Sequence, residues 1–125
     1  MAGKPSLRLG FPRSSRLKQR SDFARARAEG LRLVCGCLIA NVAPRPPDLA
    51  SRLGVVTSRK IGGAVQRSRA RRLLRESFRL HQGELARPVD LVLIARPSIA
   101  GKGLAEVERD FLRALRQARL ERAAP

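Results

Sequence analysis

The sequence predicts an α+β sandwich: a single domain with helices laid on a small sheet. Two observations carry this. The chain has 125 residues, about the size of one compact domain. Its apolar residues change period in the order helix, two or three strands, helix, strand, helix, so both element types share one core.

Each element has its own local reason. Residues 1–15 contain Gly3, Pro5, Gly10 and Pro12 and read as a flexible basic arm ahead of a domain over 16–120, with 121–125 as a tail. Ser21-Asp22 is a helix start and Gly30 a stop, which gives a short helix over Asp22–Glu29. Leu31–Val42 is apolar and β-rich with Gly36 at its middle, and reads as two short strands or one kinked strand. Pro44, Pro46 and Pro47 make a loop, and Arg52–Ser58 a third strand. A helix is expected over Ala64–His81. Val89–Ala95 (VDLVLIA) is almost wholly apolar, as in a strand covered on both faces. After a loop over Pro97–Gly103, the last helix spans Leu104–Arg119, with Leu104, Val107, Phe111, Leu115 and Ala118 at helical spacing.

Charge points to a polyanionic partner. Lys and Arg number 27 against 10 Asp and Glu, for a formal net charge of +17. Charge of this size works against the compact state. It is also uneven: residues 1–32 carry net +7, 33–58 net +1, 59–79 net +7 and 80–125 net +2. Only four of the cations are lysines, and arginine offers a planar fork for phosphate and a flat face for bases. The near-balanced last third reads as a solvated helix, with Glu106, Glu108 and Asp110 among its exposed charges.

The central segment RSRARRLLRESFR, Arg67–Arg79, is the sharpest feature. On a helical wheel Arg67, Arg71, Arg75, Arg79 and Arg72 share an arc of about 140°, with Ser68 among them and no carboxylate. Leu73, Leu74, Ser77, Phe78 and His81 occupy the other side. Arg69 and Glu76 fall on a flank. Like charges at i,i+4 destabilise an isolated helix. A face built this way is explained by phosphates, whose counterions it displaces on binding.

Other chemistries fit poorly. No apolar run is long enough to span a bilayer. Residues 1–20 lack the apolar stretch of a secretory signal, so the cytoplasm is the expected compartment. Cys35, Cys37 and the single histidine, His81, cannot assemble a four-ligand zinc site. The two cysteines read as small apolar residues. A metal-dependent protein nuclease needs clustered carboxylates, and here they are dispersed. Nothing resembles a helix-turn-helix DNA binder. A ribosomal or other structural RNA-binding protein fits size and charge equally well.

The order of residues in the middle of the chain separates these. The stretch Leu53–Arg79, LGVVTSRKIGGAVQRSRARRLLRESFR, resembles the signature of the bacterial ribonuclease P protein subunit. The match runs through Gly54, Val55, Ser58-Arg59-Lys60-Ile61-Gly62, Ala64-Val65, Arg67, Arg69, Arg71-Arg72 and Arg75-Glu76. It departs at Ser68, where the family usually has Asn, and at Gly63, where Asn is frequent. Arg16-Leu17-Lys18 with Asp22-Phe23 resembles the family's N-terminal motif, and Asp90–Pro97 its fourth strand. The likeness covers roughly residues 13–117.

The resemblance implies an αβββαβα fold with a left-handed β-α-β crossover between the strands at 52–58 and 89–95. It implies the protein half of a ribonucleoprotein endoribonuclease, whose RNA subunit removes the 5′ leader of precursor tRNA. The protein's partners are then that RNA and precursor tRNA. Catalysis and Mg²⁺ belong to the RNA and substrate, with no catalytic or metal-ligating residue in this chain. Arg67, Ser68, Arg69, Arg71, Arg72 and Arg75 are the implied RNA-subunit contacts. Lys18, Phe23, Arg27, Asn41, Arg59 and Lys60 are the implied leader contacts. Single strands are commonly held on aromatic platforms, and this chain has no Trp or Tyr and four Phe. Phe78 and Phe111 read as core, which leaves Phe23 as the stacking candidate. Arg27 and Asn41 stand where the family often has further aromatics.

Overall fold

The structure, a computed structural model, describes Arg16 and residues 30–120. The arm and tail at 1–15 and 121–125, and the helix expected over Asp22–Glu29, lie outside the described residues. Four strands follow in order: β1 Leu31–Cys35, β2 Leu38–Pro44, β3 Arg52–Val56 and β4 Val89–Ala95. Helix α1, Ala64–His81, joins β3 to β4, and α2, Leu104–Gln117, follows β4.

The strands form one mixed sheet in the order β1-β2-β4-β3. β1 and β2 are an antiparallel hairpin whose register closes at Cys35↔Leu38. The break at Gly36 thus makes two strands. Gly36 has φ +58°, and a Cβ there would stand 2.2 Å from the Asp110 carboxylate, so the turn admits no side chain on two counts. β2 and β4 pair antiparallel from Leu38↔Ala95 to Pro44↔Val89. β3 lies parallel beside β4, from Arg52↔Asp90 to Val56↔Ile94, so the β3-α1-β4 unit is a crossover between adjacent strands.

Alternation along the strands assigns the faces. Leu38, Ala40, Leu53, Leu91 and Leu93 turn toward the helices and meet Leu74 and Phe78 of α1 and Val107, Phe111 and Leu115 of α2. Each valine, leucine or phenylalanine among them, fully buried, contributes about 1.5–3 kcal/mol. Ala43 and Val92 are buried on the opposite face, as a strand covered on both sides requires. Asp90 shares that face and is fully buried, held by Arg52 at 2.8 and 2.9 Å and by Arg45 at 3.0 Å. Burial alone would raise its pKa; the two guanidiniums hold the carboxyl below its usual range.

Several expectations are corrected. β3 ends at Val56, because Ser58 caps a 3₁₀ turn over Arg59–Ile61 by accepting the Lys60 N–H at 3.3 Å. The last helix stops at Gln117, and Arg119 turns the chain with φ +58°. The acidic residues of α2 are not a solvated set. Glu106 accepts the Gly103 N–H at 2.8 Å at the helix start. Asp110 is buried and accepts the Cys37 N–H at 3.0 Å, which ties α2 to the β1–β2 turn. Glu108 pairs with His81. His81 is therefore not simply an apolar-face residue: it lies between Glu108 and Glu84 beside the Phe111 ring.

Candidate RNA interface

The basic surface is built at the junction of β3 and α1. Gly62 ends the 3₁₀ turn with φ +141°, a backbone that side chains rarely adopt. Its Cβ would also crowd the Gln66 Cβ at 3.0 Å. Gly63 has ordinary extended backbone and starts α1 with no side-chain cap. This sharp entry aims the first turns of α1 back past the end of β3. The apolar side, Ala70, Leu73, Leu74, Ser77 and Phe78, is buried. The one hydroxyl there, Ser77, donates to the Leu73 carbonyl at 3.0 Å and so carries no unmet donor.

The opposite side gathers the predicted RNA-subunit residues. Arg71 donates to Thr57 Oγ1 at 2.8 Å and to Ser68 Oγ at 3.3 Å. Arg67 reaches the Gly62 carbonyl at 3.4 Å. Ser68 and Arg72 are exposed. Arg75 is half-buried, and its pKa is pushed down by burial first and then by Arg16 and Arg71. Arg16 reaches this cluster because it bridges Leu53 in parallel, along the outer edge of β3. The chain thus crowds like charges over one edge of the sheet, and an incoming phosphate relieves that crowding.

Two arginines stand apart from the arc. Arg79 is held by Glu76 through both its Nε, at 3.0 Å, and Nη2, so that end is neutralised and the uninterrupted cationic face stops at Arg75. Arg69 turns to the other flank and donates to the Lys102 carbonyl at 2.7 Å. It fastens the loop before α2 to α1.

Of the predicted leader residues, Arg59 and Lys60 are exposed on the 3₁₀ turn at the β3 end, next to the arc. Asn41 lies across from Arg32 and Val92 on the sheet face that points away from α1 and α2, and it is buried. Lys18, Phe23 and Arg27 lie outside the described residues. Sequence reasoning missed Thr57 and Arg16 as parts of the basic surface. Thr57 had no signal, since its role depends on where α1 returns. Arg16 stood in a recognisable motif, but only the bridge to Leu53 brings it to Arg75.

No group of three His, Cys, Asp or Glu side chains could hold a metal among the described residues. The buried carboxylates are already occupied, Asp90 by two arginines and Asp110 by the hairpin turn. Cys35 and Cys37 are buried free thiols. Burial, then the neighbouring Asp110, pushes Cys37 up to about 12, so it stays protonated and unreactive at neutral pH. No helix of the described residues is long and apolar enough to cross a membrane.

Known proteins share both the sequence and this architecture. The family model described as Ribonuclease P matches residues 11–119. The ribonuclease P protein component of Desulfovibrio desulfuricans is 38% identical over 110 residues, covering 86% of this chain and 85% of that protein. That of a Roseiflexus species is 40% identical over 111 residues, covering 89% and 87%. Among solved structures, the Staphylococcus aureus RNase P protein superposes with a TM-score of 0.78 at 24% identity, covering 86% of this chain and 98% of that one. The Thermotoga maritima RNase P protein gives 0.71 at 30% identity, covering 82% and 96%. Motif, sheet order and sequence agree: the chain belongs to the ribonuclease P protein family.

Proposed function

We propose that this chain is the RNA-binding subunit that lets the ribonuclease P RNA cut the 5′ leader from precursor tRNA. The observation that carries the reading is the cationic side of α1, where Arg67, Ser68, Arg71, Arg72 and Arg75 face away from the core. These residues dock on phosphates of the RNA subunit. Arg71 is already oriented by Thr57, so little of its freedom is lost on binding. Arg69 contributes mainly by fixing the loop at Lys102.

Arg59 and Lys60, next to this surface, meet the single-stranded leader together with Lys18, Phe23 and Arg27. The burial of Asn41 gives it at most an edge contact in that role. The Mg²⁺ ions sit on phosphates of the RNA subunit and substrate, a reading supported by the prior engagement of the buried carboxylates. The protein lowers the repulsion between two RNAs and raises affinity for the substrate that has a leader. The compartment is the cytoplasm, where its RNA partners are.

Reconstitution with the cognate RNA, scored for precursor tRNA cleavage, tests the reading. The Arg71→Ala/Arg75→Ala double variant should flatten the salt dependence of assembly by about one unit of log–log slope per lost contact. An unchanged slope overturns the docking surface. Cleavage by the purified chain without RNA overturns the assignment of catalysis.

A further inference from the structure

The net charge of the last third of the chain hides a second cationic surface. Setting Leu104 of α2 at zero on a helical wheel, Val107, Phe111, Ala114 and Leu115 fall between about 280° and 20°, the buried side. Arg116, Arg109 and Arg113 fall at about 120°, 140° and 180°, on the side opposite the core. All three are exposed. With Ala105, Leu112 and Glu108 they line an open groove of about 430 Å³.

The carboxylates that balance this helix in the sequence do not balance it in space. Glu106 is committed to the Gly103 N–H, and Asp110 to the Cys37 N–H under the hairpin turn. Glu108, the acidic residue on the groove, is drawn toward His81 at 2.5 Å. Arg113 keeps a 3.3 Å bond to Asp110, which uses one of its several donors. Among the described residues the α2 carboxylates are thus engaged in structural bonds, while Arg109, Arg113 and Arg116 stay exposed on the outer face. Arg109 to Arg116 spans about 10 Å along the axis, a length over which a duplex strand presents about three phosphates.

The surface is distinct from the arc on α1. Arg69 and His81 of α1 reach Lys102, just before α2, and Glu108 of α2, while Arg71 on the other side of α1 reaches Thr57 after β3. Between the two surfaces run the Glu76–Arg79 and His81–Glu108 pairs.

We propose that the outer face of α2, through Arg109, Arg113 and Arg116, is a second phosphate-backbone contact that takes an RNA strand other than the one docked on α1. Apolar content is too low for a membrane: only Leu112 and Ala105 accompany the arginines, and an interfacial helix needs a broad apolar face toward the lipid. The proposal rests on the reading of this chain as an RNA-binding subunit, but not on the α1 arc.

The test uses the full chain with the ribonuclease P RNA and precursor tRNA, across a salt series. Arg109→Gln/Arg116→Gln should lower the log–log salt slope by about two for one of these RNAs. Arg71→Ala/Arg75→Ala, measured in parallel, reports the other surface, and the four-fold variant should show the sum of both losses. Arg109→Gln alone, a fully surface change, should lower the slope by about one and guards against misfolding of the double variant. Wild-type slopes for both RNAs in the Arg109→Gln variant, with its helical circular dichroism intact, overturn the proposal. So does binding to phosphatidylglycerol vesicles that depends on Arg109 and Arg116 while RNA binding does not.

Discussion

Arg71, in the middle of α1, donates to the hydroxyl of Thr57 at the end of β3, 14 positions earlier, at 2.8 Å. The bond spans the sharp turn at Gly62 and points a guanidinium along the sheet edge. Thr57→Val removes the acceptor with little change of shape. RNA-subunit affinity should fall by about 0.5–1.5 kcal/mol, the net worth of one hydrogen bond. The loss should be absent when Arg71 is already Ala. Additive losses in the double-mutant cycle would mean that Thr57 does not act through Arg71.

Phe23 carries the leader reading almost alone among aromatics. Phe23→Ala should weaken precursor tRNA binding by roughly 1–3 kcal/mol per stacked base lost. Mature tRNA, which has no leader, should bind nearly as before. Equal losses for the two tRNAs, with circular dichroism unchanged, would assign Phe23 to packing.

Gly36 and Asp110 form a lock between the hairpin turn and α2. Asp110→Ala leaves the buried Cys37 N–H without its acceptor, a cost of about 1–3 kcal/mol. Asp110→Asn keeps an acceptor oxygen and should cost less. Gly36→Ala should be at least as damaging as Asp110→Ala, because it adds left-handed strain to a 2.2 Å clash. Urea midpoints check the ranking. Gly36→Ala with wild-type stability would show that the turn can rearrange.

What was legible follows from what periodicity encodes. The bounds of α1 and β4 and the burial of Phe78 and Phe111 came out as the spacing predicts, because each reports one element against one core. Partners across elements were not legible. Glu106, Glu108 and Asp110 looked like surface charge, since nothing in α2 itself says that the hairpin turn lies over Asp110 or that His81 lies beside Glu108. The wheel put Arg67, Arg71, Arg72 and Arg75 on the side of α1 away from the core, where the structure has them. At Arg79 it failed, because a wheel gives angles and not the reach of a side chain to Glu76. Asp90 passed as one polar residue in an apolar strand; its two arginines come from a proline loop and from β3, and only the sheet register brings them together.

His81 gives the fold a pH dependence whose direction can be stated. The imidazole is about a seventh exposed, between Glu108 at 2.5 Å on Nε2 and Glu84 at 2.9 Å on Nδ1. Burial by itself would lower its pKa; the hydrogen bonds to Glu108 and Glu84 outweigh burial and raise it above the ordinary value of 6.5. Both bonds can be donated only by the imidazolium, since the neutral ring has a single N–H. A folded-state pKa above the unfolded one means that the folded chain holds the proton more tightly. The stabilisation is therefore fully present below about pH 6.5 and is lost as pH rises through the folded-state value. Urea unfolding of the wild type should show stability declining over that window. His81→Gln, which cannot titrate, should flatten the part due to the imidazole and leave any part due to the α-amino group. Glu108→Gln should shrink the same slope, because it replaces the carboxylate charge beside the imidazolium with a neutral amide. A slope unchanged in His81→Gln, with the variant folded, would show that the His81 pair between α1 and α2 does not form in solution.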